Sequence, residues 1–176
     1  MGIFKKKEKM AEEKKGGEGV VFLDCDGVLV TKRAVLCDYN DDDETLFFDP
    51  DDVQLPIEKR CLENLRTLVD QGDCKGVVLS TTWRQFSDQT KFLTSALTAV
   101  GVCVLGVTPV LAAGSRGDEI VSWLQSNPHV RRYVALDDSN EHVESFKHHG
   151  IPFVQTSMDS GLESNLAMEA VQLLHK

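Results

Sequence analysis

Val20-Val21-Phe22-Leu23-Asp24-Cys25-Asp26-Gly27-Val28-Leu29 decides how this chain is read. An unbroken apolar run is the mark of a strand buried on both faces, as in a parallel sheet held between helices. This run ends abruptly in two carboxylates one residue apart. If strand geometry persists to its end, Asp24 and Asp26 point the same way and Cys25 points back into the protein. Ligands of open parallel sheets bind just beyond the carboxyl ends of the strands, so the pair stands where chemistry is done. Two like charges this close are costly unless a cation joins them or one is protonated. Gly27 then permits a turn that a side chain would obstruct. The competing reading is a strand followed by a turn or helix cap built from aspartates.

Two further apolar runs end in polar residues. Gly76-Val77-Val78-Leu79 runs into Ser80-Thr81-Thr82, and Tyr133-Val134-Ala135-Leu136 runs into Asp137-Asp138. Between them Arg116 opens an amphipathic stretch, 21 residues before Asp137. In this order, the four segments resemble the motifs of the haloacid dehalogenase (HAD) superfamily of phosphohydrolases. The finer texture, Ser80-Thr81-Thr82-Trp83-Arg84, Arg116-Gly117-Asp118-Glu119-Ile120 with Trp123, and Gln155-Thr156 before Gly161-Leu162, is similar to the small capless HAD group that also occurs as domains in multifunctional RNA-repair proteins. That superfamily more often carries Lys where this chain has Arg116.

The resemblance implies a Rossmannoid α/β sandwich with a central parallel sheet of about five strands, a small β-hairpin flap and no cap domain. It also implies a magnesium-dependent phosphatase working through an aspartyl-phosphate. In that scheme Asp24 is the nucleophile and Asp26 the acid and base. Ser80 and Arg116 bind the phosphoryl oxygens, Thr81 and Arg84 contact substrate, and Asp24, Asp26 (through its backbone carbonyl), Asp137 and Asp138 hold Mg2+. Each residue also has a plainer reading. Ser80 can cap the following helix, Arg116 can pair with Asp118 or Glu119 at the surface, and Asp137-Asp138 can cap a helix beginning near Asn140. Trp83 and Arg84 read as shaping the mouth of the site or, equally well, as a packed indole and a solvated cation. His142, His148 and His149 read as exposed, or as contacts with a helix end, rather than as metal ligands.

Bulk properties narrow the setting. At 176 residues the chain is long enough for one domain with a real core, and its 41% hydrophobic and 27% charged composition is that of a water-soluble globular protein. A net charge of -9 disfavours nonspecific binding to nucleic acid or anionic lipid. Five scattered cysteines, with no Cys-x-x-Cys spacing, point to reduced thiols in the cytoplasm rather than to disulfides or zinc. Residues 1–17, with six lysines and a Gly16-Gly17 end, read as a flexible charged tail ahead of a single catalytic domain over 18–176. Gly2 invites an acylation reading, but Lys6 stands where the usual signal has Ser or Thr, so anchoring through the N-terminus is not expected. No stretch is apolar enough to span a membrane.

Along the domain, strands alternate with helices. Ala34-Val35-Leu36 and Thr45-Leu46-Phe47-Phe48, around the acidic segment Asp38–Asp52, read as the hairpin flap. A helix follows from Ile57 to Gly72, then strands at 76–79 and Val102-Cys103-Val104-Leu105, and a helix through Ile120 and Leu124. Beyond the strand ending at Asp137 come a helix from Asn140 to His149, a strand Phe153-Val154-Gln155 and a closing helix through Leu174. Neither the segment from Asp24 to Ser80 nor that from Ser80 to Arg116 has room for a folded cap, so the site is expected to be open to a phosphorylated substrate of some size. The alternatives are an end-phosphatase acting on polynucleotides, and a catalytically idle domain that serves as an interaction scaffold with the acidic segment as its surface.

Overall fold

The computed structural model describes residues 19–36, 46–47 and 56–176. Five parallel strands form the central sheet: β1 (Gly19–Leu23), β4 (Cys74–Leu79), β5 (Val104–Val107), β6 (Arg132–Asp137) and β7 (Phe153–Gln155), in the order β5-β4-β1-β6-β7. The two short strands β2 (Leu46–Phe47) and β3 (Ile57–Glu58) pair antiparallel away from the sheet. Helices α2 (Lys59–Gln71), α3 (Ser87–Ala99) and α6 (Ser164–Leu174) cover one face. Helices α4 (Arg116–Ser126) and α5 (Asn140–His149) cover the other. This is the α/β sandwich expected from the strand-end pattern.

Strand β1 shows why the sheet is central. All five of its residues are buried, and the side chains of Val20 to Leu23 alternate between two cores. Val21 and Leu23 pack with Leu65, Leu93 and Ala170 from the first helical layer. Val20 and Phe22 pack with Ile120, Val143 and Phe146 from the second. Phe22 also meets Trp123 and Tyr133 edge to face, at ring-centroid distances of 5.4 and 6.1 Å. Full burial of each such side chain is worth roughly 1.5–3 kcal/mol. A strand flanked on both edges and covered on both faces has no solvent side, hence its uniformly apolar sequence.

The flap differs from expectation. Ala34-Val35-Leu36 is not a strand but lies in a short helix, α1 (Lys32–Leu36). Thr31 Oγ1 accepts the Ala34 N–H and so initiates helical turning, while Val35 and Leu36 are left exposed. Leu46–Phe47 pairs instead with Ile57–Glu58, residues expected to begin the next helix. That helix starts at Lys59. The acidic segment, Cys37 and the N-terminal tail lie outside the described residues. Strand β5 also sits two residues later than expected. Val102 stays tied to the end of α3 through its N–H to the Leu97 carbonyl, and Gly106 hid the continuation of the strand.

Candidate active site

Parallel pairing brings the expected site residues to one edge. Each residue just past a strand is tied by its backbone to the neighbouring strand. Thr108 N–H donates to Leu79 O, Ser80 to Leu23 O, Asp24 to Leu136 O and Thr156 to Asp137 O, at 2.8–3.1 Å. These bonds extend the sheet by one residue and set Ser80, Asp24, Asp137 and Thr156 side by side. Arg116 reaches the same edge from the N-terminus of α4.

After β1 the chain turns back tightly. The Cys25 carbonyl accepts the N–H groups of Val28, Leu29 and Val30, while the Cys25 thiol is fully buried in the core. Gly27 has φ +67°, and a Cβ there would lie 2.3 Å from the Asp138 carboxyl. Glycine is needed twice over, for the left-handed backbone and for the close approach of Asp138. The carboxylates of Asp24, Asp137 and Asp138 consequently offer oxygen atoms that all lie within 4.8 Å of one another. Burial, and then Asp137, push the Asp24 carboxyl up to about 7 against the pull of Arg116. Burial and then Asp137 raise Asp138 as well. Asp26 is raised by its burial, partly opposed by the Trp83 indole, whose Nε1–H donates to Asp26 Oδ2 at 3.0 Å.

Among the described residues, three buried donors at this edge have no protein partner: Ser80 Oγ and Arg116 Nε beside Asp24, and Thr156 Oγ1 just past β7. The capping role considered for Ser80 falls instead to Thr81, whose Oγ1 accepts the Trp83 N–H at the start of a 3₁₀ turn over Thr82–Gln85. Thr81 is fully buried. Arg116 pairs with Glu119, in line with its plainer reading, but the pair is buried rather than at the surface, with Nη1 3.2 Å from Oε2. Ser115 and Asp118 cap each other at the head of α4. A Cβ at Gly117 would meet the Ser145 carbonyl at 2.9 Å, so α4 and α5 touch there.

Arg84, expected to contact substrate or to be solvated, is not in solvent and spends its donors on the protein. Its side chain is 2% exposed, and its donors go to the carbonyls of Thr81, Thr108 and Pro109 and to Glu119. Trp83 is a packed indole: it stacks on Phe92 in the core, and its Nε1–H also donates to Asp26. His142 was missed. Its Nδ1 lies 2.9 Å from both oxygens of Asp137, which holds the imidazole above its usual pKa. The signal was its place in the first turn of α5, where the helix dipole disfavours a cation and a nearby carboxylate must offset it. His149, in the last turn, pairs with Asp118 at 3.0 Å.

The strand order and this acidic edge fit a haloacid dehalogenase (HAD) domain. Residues 20–167 match the family of HAD domains in Swiss Army Knife RNA repair proteins, and the chain belongs to that family. Among solved structures, a haloacid dehalogenase-like hydrolase from Streptococcus pneumoniae is similar at 14% identity with a TM-score of 0.44. The match covers 65% of this chain and 52% of that one, so the chain spans about half of its length. No curated protein matches the sequence. Among the described residues, no helix is long and apolar enough to cross a membrane.

Proposed function

We propose that this chain is a magnesium-dependent phosphomonoesterase that carries the phosphoryl group transiently on Asp24. Asp24 attacks phosphorus in line, and the bond to the leaving oxygen breaks as Asp26 gives that oxygen its proton. Burial favours the protonated Asp26 this step needs, and the Trp83 indole fixes its orientation. Asp26 then takes a proton from the water that hydrolyses the carboxyl-phosphate, which releases phosphate and restores Asp24. Ser80 and Arg116 receive the phosphoryl oxygens, supplying charge and hydrogen bonds already in place.

The donor set fits magnesium: three carboxylates converge within 4.8 Å, all hard oxygen ligands, and Asp24 resists ionisation beside Asp137 without a compensating cation. Asp24, Asp137, Asp138 and the Asp26 carbonyl would hold the ion. When bound, it neutralises carboxylate and phosphate so that one anion can approach the other.

The observation that carries this reading is the pair of buried, unpartnered donors, Ser80 Oγ and Arg116 Nε, on the strand and helix that flank Asp24. An orphaned buried donor costs about 1–3 kcal/mol, and an incoming phosphoryl group would satisfy both. The test is magnesium-dependent phosphate release from p-nitrophenyl phosphate, nucleotides, phosphopeptides and 3′-phosphorylated oligonucleotides, comparing wild type with Asp24→Asn. Release that persists in the variant rules out Asp24 as nucleophile.

A second reading, an end-phosphatase for nucleic acids, is favoured by the family's description. The net charge of -9 weighs against it. Preference for the 3′-phosphorylated oligonucleotide, with strong salt dependence, would select it. We place the reaction in the cytoplasm, in keeping with cysteines that are free thiols wherever they are described.

A further inference from the structure

Glu119 lies outside the roles assigned so far, yet it is the hub of a buried charge chain. Its Oε2 accepts from Arg84 Nη2 at 2.6 Å and from Arg116 Nη1 at 3.2 Å, and its Oε1 accepts the Leu111 N–H at 3.3 Å. The side chains of Arg84, Glu119 and Arg116 are 2%, 9% and 5% exposed, so water screens none of them well. Two guanidinium groups share one carboxylate. Burial, and then the proximity of Arg116, hold Arg84 below its usual pKa, a sign that the two cations oppose each other.

The two arginines differ in what they can still do. Arg84 is fixed to the sheet edge by carbonyls just past β4 and β5, those of Thr81, Thr108 and Pro109. Among the described residues, Arg116 has a single protein partner for its guanidinium in Glu119, and its Nε is unpartnered. An i,i+3 pair on an exposed helix is too weak to immobilise an arginine. Here the shared carboxylate is itself held by an arginine that cannot move.

We propose that Glu119 is a positioning residue for the reaction: anchored by Arg84, it fixes the Arg116 guanidinium so that its free donors meet the phosphoryl group. The inference rests on the phosphohydrolase reading. It assigns the Arg84–Glu119 pair to the reaction and not only to folding, and makes the work of Glu119 conditional on Arg116.

The experiment is a double-mutant cycle with Glu119→Gln, Arg116→Ala and the double variant. It measures kcat and KM for p-nitrophenyl phosphate, competitive inhibition by inorganic phosphate, and melting temperature. Glu119→Gln should raise KM and the phosphate inhibition constant together by about tenfold in the wild-type background. In the Arg116→Ala background it should change neither by more than about twofold. If Glu119→Gln does not fold, Arg84→Lys takes its place in the same cycle. It loosens the anchor while keeping a cation, and should raise the same two constants by about threefold only when Arg116 is present. Losses of equal size in both backgrounds, or a lower melting temperature with both constants unchanged, overturn the inference alone. A wild-type protein that neither turns over nor is inhibited by phosphate overturns the phosphohydrolase reading, and the inference with it.

Discussion

Glu58 and Asp24 are both buried carboxylates in one small protein, and their surroundings push them in opposite directions. Glu58 receives the Thr31 hydroxyl at 2.6 Å and Arg33 at 2.7 and 3.0 Å, with Arg60 3.7 Å away. Those hydrogen bonds and cations outweigh its burial and hold its pKa below the usual value. Asp24 is no more exposed to water in any useful degree, but here burial, reinforced by Asp137, outweighs the pull of Arg116, and its pKa rises to about 7. One carboxylate is complete within the protein. The other lacks enough positive charge to offset its burial, and on the proposed reading magnesium would supply it. A buried charge is therefore no indication of function by itself; the balance of its partners is.

The comparison breaks most visibly under substitution. Asp24→Asn should lower turnover of the preferred substrate more than about a thousandfold while the protein stays folded. Glu58→Gln should leave kcat within about threefold. A comparable loss at Glu58, measured in the same assay, would mean that the two centres are not separable. Ser80→Ala should reduce kcat/KM by about a hundredfold and leave melting unchanged or raised, because the removed hydroxyl had no protein partner among the described residues. A drop in melting temperature without loss of activity would instead make Ser80 structural.

Gly27→Ala sharpens the contrast from the backbone side. The added methyl would sit against the Asp138 carboxyl at a positive φ, so magnesium affinity, read by calorimetry, should weaken by about tenfold as Asp138 is displaced. Glu58→Gln should cost about 1–3 kcal/mol in denaturant unfolding, the range for breaking a charge-assisted bond whose Arg33 partner is half in solvent.

The pH dependence should have opposite signs at the two centres. Asp24 binds its proton more tightly folded than unfolded, so in metal-free protein its contribution to stability falls as pH rises from its ordinary 3.8 towards about 7. His142 adds to the same trend. Its raised pKa contributes stability at low pH that is lost as pH rises through the folded value. Glu58, with its lowered pKa, contributes stability that is full above its ordinary 4.5 and fades as pH falls through the folded value. Melting curves in EDTA should therefore decline from about pH 5 to about pH 8, and Asp24→Asn should flatten that decline. A slope untouched by the substitution would place its origin elsewhere.

How far the sequence carries can be seen residue by residue. Asp24, Ser80 and Asp137 were legible because unbroken apolar runs can hardly be anything but two-faced buried strands, and a parallel sheet brings the residues just past all such runs to one edge. The same logic gave helix α5 and strand β7 their boundaries, where apolar spacing and Gly150 coincide. Ala34-Val35-Leu36 departs from its strand reading because three apolar residues have no period. A hydroxyl cap from Thr31 turned them into a helix.

The partners of the polar residues depended on the tertiary structure. Arg84 and Glu119 are 35 residues apart, and Trp83 and Asp26 are 57 apart. No local pattern announces that they meet. His142 lies five residues from Asp137, but only the turn between β6 and α5 aims its ring back at the carboxylate. Hydrophobic burial is periodic and is written along the chain, so the sequence alone determined the sheet and the edge on which the acids stand. Hydrogen bonds and charges are satisfied one atom at a time across the fold, so only the tertiary structure decided which polar groups are spent on the protein and which are left for a ligand.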